Sequence, residues 1–219
     1  MFETVIFDLD GTLLNTLGDL ADAGNWVCRE NGWPVHPEEA YKRMVGRGIP
    51  NLVERFSPPE ARTPERLART LEQFTARYGA HKMDRTAPYP RIPALLERLR
   101  AAGLKLAVLS NKADELCPPL LEHYFGPIFD AVQGKRPGVP TKPDPAGVRM
   151  LLERLGGSVD STAFVGDSDV DILTGRNAGL WTAGVLWGFR DRAELSGAGA
   201  SALAETVPQL EELLLAGRG

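Results

Sequence analysis

Thr4-Val5-Ile6-Phe7-Asp8-Leu9-Asp10-Gly11-Thr12 sets a β-branched and aromatic run directly against an acidic turn. An apolar run without polar alternation reads as a strand buried on both faces, and Asp and Gly are the residues that stop such a strand in a tight turn. Asp8 and Asp10 are therefore expected at the carboxyl end of a buried strand. Gly11 permits the turn that follows them.

On the carboxyl side of this stretch, apolar residues recur at helical spacing in 17–30, 37–45, 49–56 and 64–78. Asn31-Gly32-Trp33-Pro34, Gly46-Arg47-Gly48 and Ser57-Pro58-Pro59 break the runs, so this is a helical block without a strand. After Pro88-Tyr89-Pro90 the rhythm changes. Helix 93–102, strand 104–109, helix near 113–123 and strand 128–132 are followed by helix 145–155, strand 162–165, helix 170–178, strand 182–186 and a last helix in 207–216. Pro118-Pro119 predicts that the helix near 113–123 starts late or kinks. Such alternation implies an α/β fold with helices on both faces of a parallel sheet, because parallel strands need crossover connections.

Four segments then fall at the carboxyl edge of that sheet, where open α/β folds bind ligands. They are Asp8-Leu9-Asp10-Gly11-Thr12, Ser110-Asn111-Lys112, Thr141-Lys142-Pro143-Asp144 and Gly166-Asp167-Ser168-Asp169-Val170-Asp171. Asp8, Asp10, Asp167 and Asp171 gathered in a partly dry cleft repel one another, which a divalent cation relieves. The donor set is all oxygen and His36, His81 and His123 lie away from it, so Mg²⁺ fits better than zinc. A cation, Lys142, the Ser110 hydroxyl and helix-start N–H groups make a receptor for a phosphate dianion. Asp8 is the candidate nucleophile, and Asp10, two residues on and starting on the same side, the candidate acid and base.

Size and composition set limits on the rest. The 219 residues are 43% apolar and 25% charged, enough for a sizeable core plus at most one further module. A net charge of −4 gives no reason to expect nucleic acid or an anionic membrane as partner. Cys28 and Cys117 are isolated thiols, which suits a reducing cytoplasm. No apolar run approaches the roughly 20 residues of a membrane span. An EF-hand does not fit the acidic turn, since its glycine comes too early and a strand, not a helix, precedes it.

The four segments, in this order, resemble the motifs of the haloacid dehalogenase superfamily of phosphatases, and most of all its phosphoglycolate phosphatase-like branch. The resemblance spans nearly the whole chain. It implies a doubly wound, Rossmann-like core of residues 1–15 and 85–219, with an inserted all-helical cap domain of residues 16–84 hinged near Thr16 and Thr86. It implies Asp8 as nucleophile, Asp10 as acid/base, Ser110 and Asn111 as phosphate-binding residues, and Lys142 as the charge-neutralising lysine. Asp8, Asp167 and the Asp10 backbone carbonyl correspond to the ligands of Mg²⁺, with Asp171 as a supporting acid. The implied activity is hydrolysis of a small phosphorylated metabolite through an aspartyl-phosphate, with 2-phosphoglycolate the first candidate. A broad sugar-phosphate or nucleotide phosphatase, a phosphomutase and a catalytically silent binding protein are the alternatives, and monomer and homodimer are both open. Asn15 stands where members of the branch often carry an acid. Asp10 argues against the dehalogenases themselves, which lack that second aspartate. In the helical block, Tyr41, Lys42, Arg43 and Arg47 flank a glycine-bounded turn, and Arg43 or Arg47 is the candidate for binding the non-reacting end of the substrate.

Overall fold

The computed structural model describes residues 1–216, which divide into two compact units. One consists of Met1–Leu14 with the chain from Pro88 onward, the other of Asn15–Ala87.

The first unit is built on a parallel sheet. Its strands are β1 (Thr4–Phe7), β4 (Lys105–Ala113), β5 (Ala131–Lys135), β6 (Thr162–Gly166), β7 (Trp181–Val185) and β8 (Ala202–Ala204), in the order β5-β4-β1-β6-β7-β8. The short strands β2 (Leu14–Asn15) and β3 (Ala87–Pro88) pair separately where the chain passes between units. β1 lies at the centre, with Thr4 in register with Lys105 of β4 and with Thr162 of β6, and all four of its residues are buried. Burial on both faces is why Thr4–Phe7 shows no polar alternation. One face is covered by α7 (Ala146–Leu155), whose Val148, Leu151, Leu152 and Leu155 pack with Ile6, Ala107, Leu109 and Phe164. The chain moves from β1 to β4 on one side and later to β6 on the other, so the strand order reverses at β1. That is where an open α/β sheet presents its binding crevice.

Several elements depart from the sequence expectations. The second core strand extends beyond Leu109 to Ala113, with an irregular ladder to β5 between Leu109 and Ala113, so Ser110-Asn111-Lys112 lies within the strand end and not past it. β5 begins at Ala131, later than expected; Phe125 and Phe129 pair edge to face at 6.0 Å in the segment before it, and Asp130 N donates to Leu106 O at 2.8 Å as the chain joins β4. The expected late helix start is seen: a 3₁₀ turn at Asp114–Leu116 precedes α6 (Cys117–Phe125), with the prolines in its first turn. The short strands β2 and β3, α9 (Arg192–Gly197) and the three-residue β8 had no sequence signal.

The second unit consists of α1 (Leu17–Glu30), α2 (Glu38–Met44), α3 (Ile49–Phe56) and α4 (Pro64–His81), with a 3₁₀ turn at Pro59–Ala61. Its core is a file of rings, Tyr41 to Phe56 at 6.4 Å, Phe56 to Phe74 at 5.9 Å and Phe74 to Tyr78 at 5.7 Å. Tyr41 is thus a core residue; its hydroxyl donates to Asn25 at 3.1 Å, beside Gly24, where a Cβ would meet that hydroxyl at 2.4 Å. Asp19 is buried and accepts from Arg85 N at 2.8 Å, Thr86 N at 2.9 Å and Thr86 Oγ1 at 2.7 Å, binding the start of the unit to its end. Asn15 accepts from Leu17 N at 3.3 Å, a local turn bond that its amide side chain makes as an acid would. Among the described residues no helix is long and apolar enough to cross a membrane.

Candidate active site

β1 delivers Asp8 into the sheet edge. Asp8 N continues the ladder by donating to Val165 O at 2.9 Å, after which Leu9 O accepts from Leu13 N at 3.1 Å and Leu14 N at 3.0 Å and the chain turns back sharply. Gly11, at φ +93°, completes that turn, and a Cβ there would fall 2.3 Å from Asp167 Oδ2. Only glycine meets both conditions. The acidic turn after β1 and the one after β6 are therefore in contact.

The segment after β6 is organised by a reciprocal cap. Ser168 precedes α8 (Asp169–Asn177), and its N and Oγ donate to Asp171 Oδ2 at 3.1 and 2.6 Å. The other oxygen of Asp171 accepts from Lys142 Nζ at 2.6 Å, and the same Nζ donates to Asp8 Oδ1 at 2.6 Å. The main chain of Lys142 is fixed by Asn111, whose Nδ2 donates to Lys142 O at 3.2 Å and whose Oδ1 accepts from Lys142 N at 2.9 Å. The Lys142–Pro143 peptide is cis.

Asp8, Asp167 and Asp171 each offer an oxygen within 4.8 Å of the others, and all three are buried. Burial, followed by the charge of Asp171, raises the Asp8 carboxyl to about 7, although Lys142 pulls the other way. Burial and the charges of Asp171 and Asp8 also push Asp167 well above the usual carboxylate range. Burial works to lower Lys142, but the attraction of Asp171 and Asp8 outweighs it and the ammonium is held charged. Three carboxylates facing one ammonium leave a formal deficit that a hard divalent cation would cancel, and the all-oxygen donor set suits such an ion.

Asp167 is held by packing as well as by hydrogen bonds. Phe189 N donates to Oδ2 at 2.7 Å and Thr12 Oγ1 to Oδ1 at 3.4 Å. Gly188 allows this close approach, since a Cβ on it would meet Asp167 Cβ at 2.3 Å and Gly11 O at 2.5 Å. Trp187 Nε1 donates to Thr12 O at 3.0 Å, closing the ring of contacts between the two acidic turns.

Asp8, Lys142, Asp167 and Asp171 come together, while the remaining expectations fare differently. The side chain of Asp10 is not part of the three-carboxylate group; Lys112 Nζ lies 2.8 and 3.0 Å from its two oxygens. β1 ends at Phe7 and the chain turns at once, so Asp8 and Asp10 are held by different lysines, Lys142 and Lys112. Asp171, expected only as support, contributes an oxygen to the group, yet both its oxygens already accept hydrogen bonds. The Asn111 amide is engaged on the Lys142 backbone, and Ser110 Oγ accepts from Lys112 N at 3.2 Å. Arg43 and Arg47 lie exposed in the helical unit, where Arg43 O accepts from the Arg55 guanidinium. Lys112 was expected at the sheet edge but given no role there, and Trp187-Gly188-Phe189-Arg190, a segment after the last core strand read as a border of the cleft or as core packing, was given no contact with Asp167. Lys112 could have been found, because alternation along an extended segment puts it on the same side as Ser110.

A profile of the haloacid dehalogenase-like hydrolases matches residues 2–179. The phosphoglycolate phosphatase of Rhodospirillum rubrum is 36% identical over 226 residues, covering 98% of this chain and 91% of that protein. That of Aquifex aeolicus is 35% identical over 186 residues, covering 84% of this chain and 85% of that protein. The crystal structure of a candidate phosphoglycolate phosphatase from Lactobacillus delbrueckii subsp. bulgaricus is similar with a TM-score of 0.93 at 33% identity, covering 97% of this chain and 98% of that one.

Proposed function

Because the chain belongs to the haloacid dehalogenase-like hydrolase family, we propose that it is a cytoplasmic, Mg²⁺-dependent phosphatase that hydrolyses small phosphate monoesters through phospho-Asp8, with 2-phosphoglycolate the first substrate to test. The observation that carries this reading is the buried knot in which Lys142 bridges Asp8 and Asp171 beside Asp167. The names of the R. rubrum and A. aeolicus relatives support the choice of substrate.

Asp8 and Asp167, with the Asp10 backbone carbonyl, are the groups that would hold Mg²⁺, and Asp171 supports them. When bound, the ion supplies positive charge that keeps Asp8 ionised and offsets the charge of the phosphate oxygens. Asp8 forms an oxygen–phosphorus bond as the ester phosphorus–oxygen bond breaks, and Asp10 gives its proton to the departing alkoxide. Asp10, now a carboxylate, takes a proton from the water that attacks phosphorus, the phosphorus–Asp8 bond breaks, and inorganic phosphate leaves with both carboxyl groups restored. Lys142 neutralises charge at the nucleophile throughout, and the Ser110 hydroxyl donates to a phosphate oxygen. Positioning and charge neutralisation are most of what phosphoryl transfer asks of a protein.

The test is turnover of an aryl phosphate with Mg²⁺ and with chelator, then a panel of phosphorylated metabolites ranked by kcat/KM. Phosphate release should require the metal, 2-phosphoglycolate should rank at or near the top, and Asp8→Asn should abolish both turnover and acid-stable labelling of the protein. Full activity in Asp8→Asn would refute the mechanism.

A further inference from the structure

The two aspartates after β1 each have a lysine of their own. Lys142 serves Asp8, as described above, while Lys112 has been left without a part in the reaction. Its side chain is only 2% exposed, and its ammonium spans both oxygens of Asp10 at 2.8 and 3.0 Å. A carboxylate gripped at both oxygens keeps little freedom to rotate, whereas a singly bonded one swings about its last torsion.

The grip is itself anchored. Lys112 N donates to Ser110 Oγ at 3.2 Å, and the Cys117 thiol lies 3.9 Å from Lys112 O. Gly134 of β5 presses against the same carbonyl, since a Cβ there would stand 2.7 Å from it. The ladder to β5 is irregular between Leu109 and Ala113, the stretch that carries Lys112. A buried ion pair is a poor source of net stability, because taking both charges out of water offsets most of their attraction. This one also holds a carboxylate that keeps 15% side-chain exposure, so it does not seal a core.

We propose that Lys112 is a positioning residue for Asp10: it fixes the acid/base carboxylate apart from the three-carboxylate group and holds it ready to meet the leaving oxygen. This rests on the phosphatase reading above and adds to it a division of labour, with one lysine for the nucleophile and another for proton transfer. The consequence is selective. Breaking a bond to an alkoxide needs the proton from Asp10, whereas an aryloxide of low pKa leaves without it. Hydrolysis of phospho-Asp8 needs the base in either case.

The experiment uses the full chain with Mg²⁺ and compares Lys112→Met, Asp10→Asn and the double variant Asp10→Asn/Lys112→Met on an alkyl and an activated aryl phosphate. In Lys112→Met, kcat on the alkyl ester should fall at least about tenfold with KM little changed, in line with the roughly 10²- to 10⁴-fold that general acid–base catalysis contributes. Rapid-quench phosphorylation of Asp8 by the aryl ester should stay within about threefold of wild type, and phospho-enzyme should accumulate because its hydrolysis is slowed. The double variant should be no slower than Asp10→Asn, since Lys112 acts through a group already removed. It also loses both charges together, so the comparison survives if Lys112→Met alone folds poorly. Equal losses in the rapid-quench rate of Asp8 phosphorylation by the two esters, or a double variant more than about tenfold slower than Asp10→Asn, would overturn the proposal. Absence of any phospho-Asp8 in the wild type would instead sink the phosphatase reading itself.

Discussion

Gly188→Ala tests how tightly the site is built. A Cβ at residue 188 would lie 2.3 Å from Asp167 Cβ and 2.5 Å from Gly11 O, where ordinary contact begins at 3.4 Å. One of these partners is a backbone carbonyl and the other the first atom of a short buried side chain, so neither can swing clear. The two acidic turns must separate by roughly 1 Å, the scale of misplacement that costs about 10²-fold in rate. Overpacking of this kind also costs about 1–3 kcal/mol, a fall in Tm of roughly 2–12 °C for a chain of this size. The assay is kcat/KM on an aryl phosphate together with Mg²⁺ binding by calorimetry and thermal unfolding. Gly197→Ala, at the end of α9 where a Cβ meets nothing within 4 Å, is the control and should leave activity unchanged. Wild-type kcat/KM and Mg²⁺ affinity in Gly188→Ala would show that Asp167 is not held by this packing, and the account of the site would have to be rebuilt.

Two further outcomes follow from burial and backbone geometry. The Asp8 carboxyl is raised from its ordinary 3.8 to about 7, so in the metal-free protein proton binding stabilises the fold below the ordinary value and that contribution is lost as pH rises through about 7. Mg²⁺ competes with this proton, so the rise in Tm that it produces should grow from pH 5 to pH 8, and a larger rise at pH 5 would contradict the assignment. Among the described residues Arg91 is the non-glycine residue at positive φ, +70°, at the start of α5 (Ile92–Ala101). Arg91→Gly should stabilise the protein by about 0.5–1 kcal/mol, read as an increase in the urea midpoint; a lower midpoint would mean that the arginine side chain outweighs the strain.

What was readable in the sequence was read through burial. Thr4–Phe7 is covered on both faces and so carries an unbroken apolar run, which located the centre of the sheet and with it Asp8. Asp167 and Lys142 followed from their places at strand and helix ends. What was hidden depends on contacts between distant residues. Ala202–Ala204 is too short and too small in side chain to show a pattern, and only its pairing with β7 makes it a strand. Alternation linked Asp10 to Asp8, but the turn at Leu9 sent the two carboxylates to different lysines. Nothing in the composition of Ser110-Asn111-Lys112 announces that the amide would grip a backbone 31 residues away while the ammonium crossed to the first loop. The role of Gly188 is likewise written in the partner it touches, not in its own neighbours.

The buried carboxylate of Asp19, with its three donors from Arg85 and Thr86, has a meaning for how such a chain can be rearranged. An insertion whose first helix is laced to its own last residues leaves its host at nearly the spot where it came in, so little slack chain has to be ordered when it folds. Segments of that kind are exchangeable cassettes: the host sheet need only tolerate a narrow gap. A chimera that takes residues 15–87 from a relative should therefore carry its own equivalent of the Asp19 lacing along with it, cut outside that knot and never through it.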